Sequence, residues 1–381
     1  MHHTIYVDEQ GRPLSGAAPA PRPSAARSAP VTSGGAPAAS QLPPTATPAV
    51  TTAPAPPPAS PPAPAAGLLR VAVLSAEPYW HERRFRAMGS EARLIVGGAH
   101  APLVDWAVAE VERLEQCWSR FRADSELSRL VARPGTAVPV SRDLLMALTR
   151  ATRLWEWTAG AFDPTVRVAL EGLGYDRSFA TVDRASAAPV EPVPAPGWAA
   201  VEVDEGSGTV RVPPGVGIDL GGLGKGLAAD LVAEGLVLRG AVSALVGLGG
   251  DIRTAGEVPD GGWRVPIEDP FDAGATWSDA VLGAEAIVTS TSLMRRWERA
   301  GQALHHIIDP LSGRPTDTGV AAVVARGADA CWAEGLAKSV MVLGAPAAEV
   351  LLSGSGVEAT LFGADRSIST VGEREARCSP S

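Results

Sequence analysis

The stretch GIDLGGLGKGLAAD, Gly217 to Asp230, sets a lysine inside a run of glycines. The chain carries 33 basic residues, and only Lys225 and Lys338 are lysines. Lysine is a compact point charge on a flexible stem, whereas the arginine guanidinium is a wide planar fork. A chain so biased toward arginine keeps lysine where the fork does not fit. Glycines just ahead of a helix turn backbone amides toward an anion, so this stretch has the parts of a phosphate cradle. Neither common cradle matches it. A Walker loop needs glycine six residues before its lysine and Ser or Thr after it; Asp219 and Gly226 stand there. The pattern G-x-G-x-x-G fails at Gly215 and at Gly222. On spacing alone, a close-packed strand-turn-helix corner accounts for the glycines equally well.

Three other segments concentrate polar chemistry. Lys338 lies in AEGLAKSVMVLG, four residues after Glu334, a spacing that pairs the two charges on one helix face. A solvated pair is the ordinary reading of that spacing, but Leu336, Val340, Met341, Val342 and Leu343 make part of the helix apolar. HHIIDPLSGRP, His305 to Pro315, reads as a strand ending in an Asp-Pro turn. The other four histidines lie far from it in the chain, so no histidine-built metal site is indicated. GAFDPTV, Gly160 to Val166, holds a second Asp-Pro turn, and FRADSELSRL, from Phe121, reads as a loop into a helix capped at Asp124 or Ser125.

The elements that must hold these segments are mixed. Short strands are predicted at LLRVAVLSA, beginning at Leu68, and at Glu91 to Gly98. Helices are predicted over Leu103 to Gln116, from apolar residues at helical period, and over Arg142 to Thr158 behind a serine cap. WAAVEVD and GTVRVPP, joined by EGSG, read as a hairpin. A helix over Gly226 to Leu238 follows the glycine turn, AVSALVGLGG is a buried strand entering a second glycine turn, and WRVPIED is another strand. AVVARG then precedes a helix over Ala328 to Leu343. Without strict βαβ alternation, the fold class is α+β.

Composition bounds the setting. Residues 1–66 are dominated by Ala, Pro, Ser and Thr and lack the apolar side chains to offset ordering, so a disordered tail is expected there. One ordered domain is expected over residues 67–373, with a short tail over 374–381. A net charge of -9 argues against nucleic acid as partner. Cys117, Cys331 and Cys378 are too scattered for a disulfide framework or a cysteine-built zinc site. No apolar run is long enough to span a membrane, and the amino terminus lacks the pattern of a secretory signal, so the expected location is cytoplasmic.

The ordered set MGS at Met88, WSRFRADSELSRL, GAFDPTV, GIDLGGLGKGLAAD, LVGLGGDIRTAG, VTSTS at Val288, HHIIDPLSGRP and AEGLAKSVMVLG resembles the ApbE family of FAD:protein FMN transferases. The resemblance runs from about Phe85 to Gly344. It implies an α+β fold that holds FAD in a cleft and moves its FMN moiety onto a Thr or Ser hydroxyl of an acceptor protein, releasing AMP. A non-catalytic FAD-binding protein and an FAD pyrophosphatase remain as alternatives. Carried over by position, Met88, Phe121, Ala161, Phe162, Asp163, Asp219 and Lys225 are expected to contact the flavin nucleotide. Phe121 stands where the family commonly has tyrosine. His306 and Asp309 are expected beside the reacting phosphates, with His306 as base, and Lys338 joins them as a catalytic candidate. The family's magnesium (Mg2+) would fall to Gly222, Glu334 and Ala337. Its remaining ligand is a threonine in the family and Lys338 here, and an ammonium has no lone pair to give.

Overall fold

The computed structural model describes residues 80–98 and 101–373. The strand expected at Leu68 and the expected tails lie outside them. Eight strands form one antiparallel sheet whose spatial order follows the chain. They are β1 (Trp80–Ala87), β2 (Ser90–Gly97), β3 (Ser243–Leu248), β4 (Asp251–Gly256), β5 (Ala286–Thr291), β6 (Val320–Gly327), β7 (Glu358–Gly363) and β8 (Ile368–Val371). The helices are α1 (Ala101–Trp118), α2 (Glu126–Val131), α3 (Arg142–Trp157), α4 (Arg167–Gly172), α5 (Gly224–Leu238), α6 (Ala330–Leu343) and α7 (Ala345–Leu352). The architecture is α+β, as the sequence implies.

Side chains alternate across a strand, so each face of the sheet builds its own core. Leu94 and Val96 of β2, with Ala244, Val246 and Leu248 of β3, join the helices in the larger core. Ile95 and Leu245 point the other way, into a second core with Trp263, Val265 and Phe362. That second face is covered by the hairpin Trp263–Glu268 and Thr276–Leu282, inserted between β4 and β5. Residues 94–97 of β2 and 244–248 of β3 therefore read as continuous apolar runs because both of their faces are covered.

Local chemistry sets the boundaries. Ser141 caps α3 by accepting from Leu144 N, and Ser125, not Asp124, caps α2. α6 starts at Ala330 because Asp329 accepts from Trp332 N. The expected hairpin forms between Glu202–Asp204 and Thr209–Arg211. Its first strand is shorter than expected: Trp198–Ala200 is a single 3-10 turn.

α5 and α6 lie side by side, and their contact positions the candidate site. Asp230 of α5 accepts from Ala330 N at 2.8 Å and Cys331 N at 2.9 Å, so a side chain of one helix caps the start of the other. Gly226 permits the close approach. A Cβ there would sit 2.5 Å from the carbonyl oxygen of Ala330 and 2.6 Å from its carbon, both backbone atoms. Gly226→Ala is expected to force the helices apart and to cost about 1–3 kcal/mol, as overpacking does. A thermal melt unchanged from wild type would show that α6 can retreat freely.

Candidate active site

The glycine turn leads directly into α5, so Lys225 occupies the first turn of that helix. Its ammonium donates to Asp251 Oδ2 and, at 2.6 Å, to Glu334 Oε1. Lys338, one turn along α6, donates to the same Glu334 oxygen at 2.8 Å. Glu334 Oε2 accepts from Gly226 N at 2.8 Å. The two lysines of the chain thus meet on one carboxylate oxygen. Asp251 reaches this point because Gly249, at φ +66°, and Gly250 turn the chain sharply between β3 and β4.

Burial shapes the charges. Glu334 is fully buried and Asp251 is 1% exposed. Burial alone would raise Glu334, but Lys225 and Lys338 outweigh it and hold the carboxyl at about 2. Burial also opposes the Lys225 cation, yet Asp251 and Glu334 hold its pKa above the usual lysine value. Asp251 is pushed up by burial and by Glu334, and its Oδ1 has no hydrogen-bond partner. Lys338 is lowered by burial, only partly offset by Glu334.

The glycine turn borders this cluster. A Cβ on Gly222 would lie 2.8 Å from Phe162 Cε2 and 3.6 Å from Lys338 Cδ, so the turn passes between ring and lysine. Asp219 is fixed within the turn. Its Oδ1 accepts from Gly221 N at 2.7 Å, and its Oδ2 pairs with Arg120 Nε at 2.7 Å. The Arg120 guanidinium lies 4.1 Å from the ring centre of Phe121, which is 41% exposed, and 4.8 Å from that of Tyr175. Asp163 faces inward: Oδ1 accepts from Thr165 N and Oγ1, and Oδ2 from Trp198 N. It fixes the loop that carries Ala161 and Phe162. Met88, at φ +50°, makes the turn between β1 and β2 and donates its N–H to Glu115.

The two adjacent histidines have different surroundings. His305 is tied to the backbone through Thr316 O and Ile307 N. His306 Nδ1 is buried without a partner. Burial holds its pKa well below 6.5, reinforced by the charges of Arg295 and Lys338. His306 is therefore a neutral imidazole beside the cationic cluster, the form a proton acceptor requires. Asp309 shapes the turn that follows, accepting from Leu311 N at its side chain and Gly313 N at its carbonyl.

The structure thus joins Gly222, Phe162, Lys225, Glu334 and Lys338 directly, with Ala337 buried on α6 beside them. Met88, Asp163 and Asp309 are engaged by other partners. Asp251, Arg120 and Arg295 are additions to the residues expected from sequence. The acid directly after the second glycine turn was the available signal for Asp251. Arg295 had none, since its place depends on a loop turn at φ +48°.

A family model described as the ApbE family matches residues 88–361. The chain belongs to the ApbE family. It is 32% identical over 241 residues to the FAD:protein FMN transferase of Vibrio cholerae, covering 61% of this chain and 71% of that one. The FAD:protein FMN transferase of Treponema pallidum is 33% identical over 252 residues, covering 61% and 69%. Among solved structures, the ApbE protein of Thermotoga maritima superposes with a TM-score of 0.69 at 25% identity, covering 78% of this chain and 100% of that one. The flavin transferase ApbE from Vibrio cholerae gives 0.65 at 26%, covering 77% and 97%.

The magnesium site expected from this ApbE resemblance does not fit the residues present. The resemblance implies an oxygen ligand at residue 338, where this chain has an ammonium that donates to Glu334 Oε1. That oxygen also takes Lys225, and Oε2 is turned to Gly226 N. Among the described residues, no three His, Cys, Asp or Glu side chains group to hold a metal.

Proposed function

We infer that this chain transfers the FMN moiety of FAD to a Thr or Ser hydroxyl of an acceptor protein, and that it does so in the cytoplasm. The observation that carries the reading is the pair of lysines on Glu334, set behind a glycine turn, together with a buried histidine whose Nδ1 has no partner. Phosphoryl transfer asks chiefly for positioning and for positive charge around the phosphates, and no enzyme nucleophile is needed.

The acceptor hydroxyl oxygen attacks the phosphorus on the FMN side of the pyrophosphate. A new P–O bond forms and the bond from that phosphorus to the bridging oxygen breaks. AMP leaves with the electron pair, and the hydroxyl proton passes to His306. Lys225 and Lys338 face the charge that grows on the leaving phosphate, while Phe121 offers an exposed ring at the rim for stacking. Phe162, Asp219 and Met88 hold the walls around the nucleotide, and Asp309 shapes the loop after His306.

No helix among the described residues is long and apolar enough to cross a membrane. The activity is assigned to residues 67–373, with 1–66 as a spacer. Incubation with FAD, with and without an acceptor, followed by chromatography of the nucleotides, tests the reading. AMP is expected only when acceptor is present. AMP with free FMN in its absence would mark a pyrophosphatase instead, and unchanged FAD in both samples a carrier. A chain lacking residues 1–66 is expected to give the same FAD affinity.

A further inference from the structure

We propose that the Lys338 ammonium is the fixed cation of this site and that flavin transfer here runs without a divalent metal. The proposal rests on the transferase reading above and specifies how its phosphates are neutralised.

Three observations carry it. The chain uses lysine only twice, and both ammonium groups reach the same oxygen, Glu334 Oε1, at 2.6 and 2.8 Å. The Lys338 stem runs along the glycine turn, 3.6 Å from where a Cβ on Gly222 would lie, so its ammonium borders the cradle. Glu334, the carboxylate a divalent ion would need, is fully buried and already engaged by two ammoniums and one amide. A cation entering there would face Lys225 and Lys338 at close range and would first have to break both ion pairs. Mutual repulsion of like charges in a poorly solvated site makes that exchange unfavourable. A lysine side chain gives one positive charge and three donors in place of a metal's Lewis acidity. It can stabilise a phosphate oxygen in the transition state with no ion to recruit from solution.

The experiment compares wild type, Lys338→Thr and Lys338→Ala in two assays. The first follows FMN transfer in a chelator and across a Mg2+ titration. The second follows Mn2+ binding to the protein by electron paramagnetic resonance, with and without FAD. Wild type is expected to keep its rate in chelator to within about twofold and to bind no Mn2+, while Lys338→Ala loses on the order of 10²-fold, as removal of one transition-state donor does. Lys338→Thr is expected to gain both Mn2+ binding and a dependence on Mg2+. Glu334 keeps Lys225 and Gly226 N in these variants, so the fold is expected to hold, and a thermal melt checks it. Chelator-abolished transfer in wild type, with Lys338→Ala near normal, would overturn the proposal. So would tight Mn2+ binding to wild type. Absence of transfer by every protein under every condition would count against the transferase reading instead, and the Mn2+ assay would still decide the role of Lys338.

Discussion

Lys225→Met is expected to destabilise the domain by about 3–5 kcal/mol, the range found when one partner of a buried ion pair is removed. At about 2–4 °C per kcal/mol for a domain of this size class, the melting temperature falls on the order of 10 °C. Lys225 is the shared counter-ion of Asp251 and Glu334, both essentially without solvent contact. Its loss leaves two buried carboxylates facing Lys338 alone. Transfer activity is expected to vanish with it.

A pH series gives this expectation a sign. Asp251 already has a pKa above the ordinary aspartate value of 3.8, through burial and Glu334. A carboxyl raised in the folded state loses stability as pH rises through its folded pKa and regains it as pH falls. The gap in melting temperature between Lys225→Met and wild type is therefore expected to narrow under mildly acidic conditions. An equal gap at neutral and acidic pH would show that the variant suffers from lost packing rather than from uncompensated charge.

His306→Ala is the second change of large effect, with an expected loss of about 10²–10⁴-fold in kcat, the usual contribution of a positioned general base. FAD affinity is expected to stay near wild type, because Nδ1 has no partner whose loss would disturb the pocket. The pH profile supplies a readout that a structural role would not move. His306 is held well below 6.5, first by burial and then by Arg295 and Lys338. Its base form is then present throughout the neutral range, and kcat/KM for wild type is expected to stay flat from about pH 8 down to about 6.5. A fall by half near 6.5 would mean an ordinary imidazole. A weakened FAD affinity with unchanged kcat would make His306 a binding residue.

Much of this site is legible in the sequence because its parts lie in local patterns. The Glu334–Lys338 pair follows from helical spacing, the turn at Gly217 to Gly226 from its glycines, and the α3 cap from Ser141. What local pattern cannot give is the partner across the fold. Lys225 and Glu334 are 109 residues apart and meet only because Asp230 caps α6 and Gly226 admits it. Spacing alone left the Glu334–Lys338 pair open as a solvated surface pair, whereas Glu334 is fully buried. The Phe121 ring shows the same limit. Its surroundings depend on Tyr175, brought to it by α4 and the loop that follows, and on Arg120, which is buried against Asp219. Asp163 was legible as a turn residue, but its two oxygens face Thr165 and Trp198, and Trp198 arrives 35 residues later.

This site moves FMN from FAD onto an acceptor protein. Intact-mass spectrometry of the acceptor after incubation with enzyme and FAD tests it most directly. One added FMN per target hydroxyl is expected, with an equal amount of AMP in solution and no adduct on an acceptor whose target Thr or Ser is replaced by Ala. An acceptor mass that never changes, while FAD is bound or is hydrolysed to AMP and free FMN, would contradict it.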